Sequence, residues 1–410
     1  MNMPKRLKIV VVSAFYSEGM GYSENCLSRA LAKLGHEVHV LTSTYNVYGN
    51  EQELYDETYA EFLGPRITDI GVRTVDGYTV HRMKTRLVGG YVHIEGLNAK
   101  VRKLDPDVVH SLELGSVQTM VLALQKPFSK FRLFTETHQQ MSVMRPYMRD
   151  PKGDPLKRLQ YRLTRTLPIG LAAFAVDKCY AVTPDCGEVA MRFFGAPESK
   201  VVYLSLGADS ETFHPVENDA ESGERASLRA SLGYGPDDIV CVYTGRFTKD
   251  KNPLVLADAI ERLSTIDGRY KGLFIGNGAQ KGEIEKRANC RAVPFMTHAT
   301  LAAHYRAADI GVWPREESMS MIDAASSGVP LVVSNRIGEP ARVEGNGRMY
   351  EENDPVALSE ALQGLADPIL RKKLGDHGRH KVLQGFNWTK FAETIEEDFM
   401  AAVQGTLAGA

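Results

Sequence analysis

Apolar positions along the chain alternate between two spacings. Short β-branched runs, LKIVVVSAF at 7–15, DVVHSL at 107–112, RLFTETH at 132–138 and KVVYLSLG at 200–207, have the near-continuous hydrophobicity of strands covered on both faces. Between such runs lie segments whose apolar residues recur every three or four positions. SENCLSRALAKLG at 23–35 is one, and it predicts an amphipathic helix. Strands and helices in alternation predict an α/β fold with a parallel, doubly wound sheet.

The alternation halts at 214–238, a stretch rich in acidic and turn-forming residues that reads as a linker with a lead-in helix. It resumes with DIVCVYTG, NPLVLADAIERL, GLFIGNG, LAAHYRAA, DIGVWP, SMIDAASSG and PLVVSN, which predict a second open α/β sheet. The expected division is a Rossmann-like domain over 1–213, a second over 214–388, and a helical segment over 389–410 that packs back on the first. Strand ends of two such domains facing a shared cleft would put ligands there. Residues 44–86 are Tyr-rich and read as loop at their start, a place where aromatic faces could meet a sugar.

The 410 residues exceed one ordinary core, which agrees with two domains. A hydrophobic share of 43% with 24% charged residues belongs to a globular protein, and the net charge of −2 gives no drive toward nucleic acid. No apolar run reaches the roughly 18 residues of a membrane span. The N-terminal MNMPKRLKIVVVSAF has basic residues and an apolar run but no small-residue cleavage site, so it reads as the first strand. The five cysteines are scattered and lack metal-finger spacing, which predicts reduced thiols and a cytoplasmic location.

Three segments carry candidate chemistry. In SAFYSEGMGYSEN, Gly19 and Gly21 allow close backbone approach ahead of a helix, which suits either an anionic or sugar group or simply a tight turn. In YTGRFTKDKNP, Gly245 ends a strand, Arg246 emerges at its carboxyl edge and Lys251 stands just before the next helix. An Arg fork and a Lys point charge there suit a pyrophosphate, the alternative being a pair of solvated surface cations. In WPREESMSMIDAASSGVP, Ser318 or Ser320 can cap a helix that Gly328 ends, and the N–H groups at Ser318, Met319 and Ser320 can meet a phosphate. Glu316 and Glu317 stand before that helix beside Arg315. They either complement its dipole or grip something neutral next to the anion.

The order and spacing of these pieces, with LDPDVVHSL, TETHQQ, VVYLSLGADSETFHP, HYRAADIGVWP and the terminal FNW, resemble the retaining family 4 glycosyltransferases of the GT-B double-Rossmann architecture. The resemblance covers nearly the whole chain. It implies transfer of a sugar from a nucleotide-diphosphate sugar, a UDP- or GDP-sugar being expected, to a hydroxyl acceptor, with no cofactor and no metal. The acceptor would be a polysaccharide, glycolipid or natural-product precursor. By the same likeness Arg246 and Lys251 hold the diphosphate and His138 contacts the donor sugar near the reaction centre. Asp323 takes the place of the glutamate that reaches the donor ribose, its alternative being a capping box with Ser320. The family's first glutamate falls on Arg315 without a gap; Glu316 needs a one-residue shift and Glu317 two. An Arg315 in that place would suggest an acidic donor sugar. A nucleotide-sugar epimerase, or a binding protein without activity, would share the fold.

From Met144 to Leu167 the chain carries Arg145, Arg149, Lys152, Lys157, Arg158, Arg162 and Arg165, with Leu156, Leu159, Leu163 and Leu167 at helical spacing. Such a helix packs its stripe on the core, makes peripheral contact with an anionic membrane through 145–165, or holds an anionic acceptor.

Overall fold

The computed structural model describes residues 6–141, 144, 148, 154–315 and 317–406. Glu316, Arg145, Arg149 and Lys152, which the sequence singles out, lie outside the described residues.

Two compact units divide the chain. Met1–Glu51, Pro65–Leu206 and Phe391–Ala410 form the first, and Gln52–Gly64 with Gly207–Lys390 the second. Residues 52–64 therefore differ from the sequence expectation. Tyr59 and Phe62 lay their rings against Phe295, with centroids 5.4 and 6.5 Å apart, and Asn277 donates to the Glu61 carboxylate at 3.2 Å. Aromatic burial ties this short piece to the second unit.

The first unit holds an eight-stranded sheet. Its strands are β1 (Lys8–Ser13), β2 (Glu37–Thr42), β3 (Gly71–Val75), β4 (Tyr78–Arg82), β7 (Val108–Ser111), β8 (Arg132–Thr137), β9 (Lys178–Ala181) and β10 (Val201–Tyr203). A separate hairpin pairs β5 (Thr85–Val88) with β6 (Tyr91–Ile94). The sheet order is β10-β9-β8-β7-β1-β2-β4-β3, parallel except for the edge pair β3–β4. The stretch 44–86, read as loop at its start, contributes helices and three strands. Val72 on β3 is exposed, so the edge strand has no apolar alternation to announce it.

Winding reverses between β1 and β7, and this opens a crevice at their carboxyl ends. The last helix, Trp388–Gln404, completes this unit's core. Phe399 packs on Phe134 and His110, and Asp398 accepts from Lys178 Nζ and the Tyr180 hydroxyl at 2.7 and 2.8 Å.

The second unit is a six-stranded, all-parallel sheet, β13-β12-β11-β14-β15-β16, in which β12 is Tyr270–Ile275, β13 Cys290–Val293, β15 Leu331–Ser334 and β16 Gly347–Tyr350. Its central strands are β11 (Ile239–Thr244) and β14 (Ile310–Trp313), and winding reverses between them. The lead-in helix Asp219–Ser231 is fixed by Arg229, whose buried guanidinium donates to the Asp309 carboxylate at 2.9 Å. The backbone at Gly276 comes so close to Gly245 that a Cβ there would overlap the Gly245 carbonyl oxygen, which is why the strand ends carry glycine. Among the described residues no helix is long and apolar enough to cross a membrane.

Candidate active site

The carboxyl ends of β11 and β14 bring the second unit's predicted residues together. Gly245 follows β11 at φ +147°, a conformation that favours glycine, and the chain then presents Arg246. Arg246 is paired with Asp250 at 3.1 Å, an exposed clasp that holds the guanidinium at the sheet edge. Lys251 reaches across to the loop after β14 and donates to the Glu317 carbonyl at 3.2 Å. Lys251 thus stands beside the start of the helix Met319–Ser326, and Arg246 lies on the same loop.

That start is built by hydrogen bonds. Ser318 is the N-cap residue in extended conformation, but its hydroxyl bonds Ser320 Oγ at 2.8 Å and caps no helical N–H. Ser320 also accepts from the Trp313 indole at 3.1 Å, and the buried Tyr305 hydroxyl donates to its carbonyl. Side chains that could have capped the turn are engaged elsewhere, so the helix N-terminus keeps its anion-binding character. The Ser320–Asp323 capping box allowed by the sequence does not form. Asp323 is instead buried, and its carboxylate has no hydrogen-bond partner among the described residues. Burial, helped by the charge of Asp209, pushes its pKa well above the usual carboxylate value.

The residues before this helix are differently employed. Both carboxylate oxygens of Glu317 are committed: one accepts from the Glu339 backbone N–H, the other from Arg342 at 3.0 Å in a buried ion pair. The sequence left Glu317 as either a complement to the helix dipole or a carboxylate open to a sugar hydroxyl. Glu317 instead pins the segment before Pro340–Arg342, because a buried carboxylate needs a cation and N–H donors. Arg315 projects outward, donates to the Lys249 carbonyl at 3.1 Å and stands 3.9 Å from Glu352.

In the first unit, the crevice gathers a charged network. Gly19 adopts φ +77° in the loop after β1, and Gly21 precedes the helix Ser23–Lys33. Glu136 lies between two imidazoles: His110 Nε2 is 2.8 Å from one oxygen and His138 Nε2 2.9 Å from the other. Glu113 accepts from the backbone N–H groups of His138 and Gly115 at 3.0 and 3.1 Å. Burial alone would raise the Glu136 pKa, but the hydrogen bonds from both histidines win and hold it at about 2. Burial depresses His138, yet the Glu136 carboxylate, with Glu113 and Glu24, more than offsets this and raises its pKa. Glu24, buried at the start of its helix, is pushed up to about 7 by desolvation.

The sequence points to His138 but not to Glu136, Glu113, Glu24 or His110. One signal was present: His138 follows β8 directly and stands two residues past Glu136, the spacing that puts side chains of an extended backbone on one face. The His110 partnership comes from the β7–β8 register, which pairs His110 with Phe134 and is not written in either segment alone.

Two family models match the chain. Residues 19–212 match "Glycosyltransferase Family 4" and residues 238–367 match "Glycosyl transferases group 1". Among curated proteins, the D-inositol 3-phosphate glycosyltransferases of Streptomyces bingchenggensis and Streptomyces coelicolor are 29% and 30% identical over 253 and 259 residues. Each alignment covers 56% of this chain, which spans about half the length of these relatives (54% and 56%). Among solved structures, sucrose-phosphate synthase from Thermosynechococcus elongatus superposes with a TM-score of 0.72 at 20% identity, covering 98% of this chain and all of the other. Anabaena HepE in complex with UDP-glucose gives 0.66 at 14% identity, over 96% and 99% of the two chains. With two Rossmann-like units of parallel sheet and these matches over both halves, the chain belongs to the family 4 glycosyltransferases of the GT-B fold.

Proposed function

We propose that the protein transfers a sugar from a nucleoside diphosphate sugar to a hydroxyl acceptor with retention of anomeric configuration and without a metal. The observation that carries this reading is the arrangement at the β11/β14 switch point. Lys251 reaches the loop that starts the helix Met319–Ser326, Arg246 stands on the same strand-end loop as Lys251, and Asp323 in that helix is buried with no hydrogen-bond partner among the described residues. The cations and N–H groups suit a diphosphate, and an unpaired buried carboxylate suits a pair of ribose hydroxyls. The HepE complex with UDP-glucose supports a UDP-sugar as donor. The inositol phosphate glycosyltransferases support a hydroxyl acceptor bearing or neighbouring a phosphate.

In the proposed reaction the acceptor oxygen bonds the anomeric carbon as the bond from that carbon to the phosphate oxygen breaks. Attack comes from the leaving-group face, and the departing phosphate takes the acceptor proton. Negative charge grows on the diphosphate as the bond breaks. Arg246, Lys251 and the helix N–H groups, fixed in advance, stabilise that charge more in the transition state than in the ground state. They supply the neutralisation that a divalent cation would otherwise provide. His138, its pKa raised and its ring oriented by Glu136, donates to the donor sugar.

A thermal-shift panel of UDP-, GDP-, ADP- and TDP-sugars identifies the donor, since binding raises apparent stability by mass action. Turnover is then followed as nucleoside diphosphate release in EDTA. Release that requires an acceptor supports transfer. Interconversion of the sugar with no release would make the protein an epimerase, and tight binding with no turnover across a broad acceptor screen would make it a binding protein.

A further inference from the structure

The helical run from Pro155 to Ala175, in the first unit, carries a surface that the active-site reading does not use. Leu156, Leu159, Leu163, Leu167, Leu171 and Phe174 recur at steps of three and four residues, and each is between 54% and 74% exposed. Ile169, Ala172 and Ala173 form the face that packs inward. The leucine stripe is thus turned outward, and the option that it packs on the core is ruled out.

Steps of four overshoot the 3.6-residue turn of an α-helix and would wind the stripe around its axis. The five residues Arg162–Thr166 form a π-helical turn, whose wider i→i+5 bonds undershoot instead. Between Leu163 and Leu167 this counter-rotation keeps the leucines in line along ~27 Å of helix. Next to it, the helix Val117–Gln125 and its extension leave Leu124 and Phe128 exposed, and Lys126 in that extension donates to the Ala175 carbonyl.

Charge identifies the occupant. Between 154 and 175 the chain has Lys157, Arg158, Arg162 and Arg165 against a single carboxylate, Asp154. Lys157 and Arg162 are exposed, Arg165 stacks 4.3 Å over the ring of Tyr91 on the β5–β6 hairpin, and Lys200 donates to the Phe174 and Val176 carbonyls at the helix end. We propose that this face docks on an anionic lipid bilayer, its leucines at the acyl boundary and its cations among the headgroups. A second copy paired stripe to stripe would set these cations against their own equivalents, so self-association is disfavoured by the charge that favours lipid. This inference stands independently of the sugar-transfer reading.

The test is flotation of the full chain with vesicles of mixed phosphatidylglycerol and phosphatidylcholine, against vesicles of phosphatidylcholine alone. Binding to the anionic vesicles is expected to be about tenfold stronger or more. The triple variant Leu159→Ser, Leu163→Ser, Leu171→Ser changes only exposed positions, and an unchanged Tm checks its fold. It is expected to lose binding about tenfold or more, and Lys157→Glu with Arg162→Glu to lose a comparable factor. Equal binding to both vesicle types overturns the proposal, as does a triple variant that floats like the parent. So does a dimer in sedimentation velocity that the triple variant dissolves.

Discussion

The two sheets open at equivalent places and fill them in opposite ways. At the β1/β7 reversal, charged groups satisfy one another: Glu136 holds His110 and His138, and Glu113 fixes the His138 backbone. At the β11/β14 reversal, a helix N-terminus stands without a side-chain cap beside Lys251, and Asp323 is buried with no hydrogen-bond partner among the described residues. The first crevice is preorganised by its own hydrogen bonds. The second keeps groups whose partners a ligand would bring. The same backbone architecture thus closes one charged network on itself and leaves another open.

If the second crevice holds the diphosphate, Arg246→Ala has the largest effect. It should lower kcat/KM by about 10²–10³, the range for removing one donor to a developing anion, measured as nucleoside diphosphate release. Glu24 breaks the comparison from the other side. Its folded-state pKa of about 7 lies above the unfolded value, so its favourable contribution is complete below the unfolded pKa and is lost as pH rises through about 7. Glu24→Gln should leave stability near pH 4 unchanged and raise it at pH 8 by on the order of 3 kcal/mol, read by denaturant unfolding.

Asp323→Asn is expected to raise the Tm of the unliganded protein at neutral pH, because a buried unpaired carboxylate is costly there. The same substitution should weaken UDP binding about tenfold, so stability and affinity move in opposite directions. A change in which both fall would give Asp323 a structural role instead. The smallest effect sharpens the first crevice. Glu136→Gln removes the carboxylate that raises the His138 pKa, and an imidazolium loses its proton as pH rises through the folded value. The alkaline limb of the kcat profile should therefore move to lower pH while KM for the donor stays unchanged.

Much of the second crevice was legible in the sequence because its groups lie in short contiguous segments. YTGRFTKDKNP and WPREESMSMIDAASSG each contain a strand end, a turn and a helix start, so local chemistry places Arg246, Lys251 and the 319–326 helix. The first crevice was legible only at His138. Its partners come from three elements joined by register and burial, which single segments do not encode. The residues before Met319 show a different limit. Sequence spacing offered Glu317 to a sugar, and only the fold brings Arg342 to it. The leucine stripe shows another: periodicity reveals that a helix has an apolar face, not which way that face turns.

The return of the final helix to the first unit has a consequence for biosynthesis. Asp398 bonds Tyr180 across 218 residues, and Phe399 closes over Phe134 and His110 beside the Glu136 network. During translation the second unit's sheet is fully synthesised before the segment that seals the first. The emerging amino-terminal half must therefore wait, with an apolar face uncovered, until the helix Trp388–Gln404 leaves the ribosome. Ribosome-bound chains that stop before Trp388 should expose that face to chaperones even though every strand of both sheets has been made.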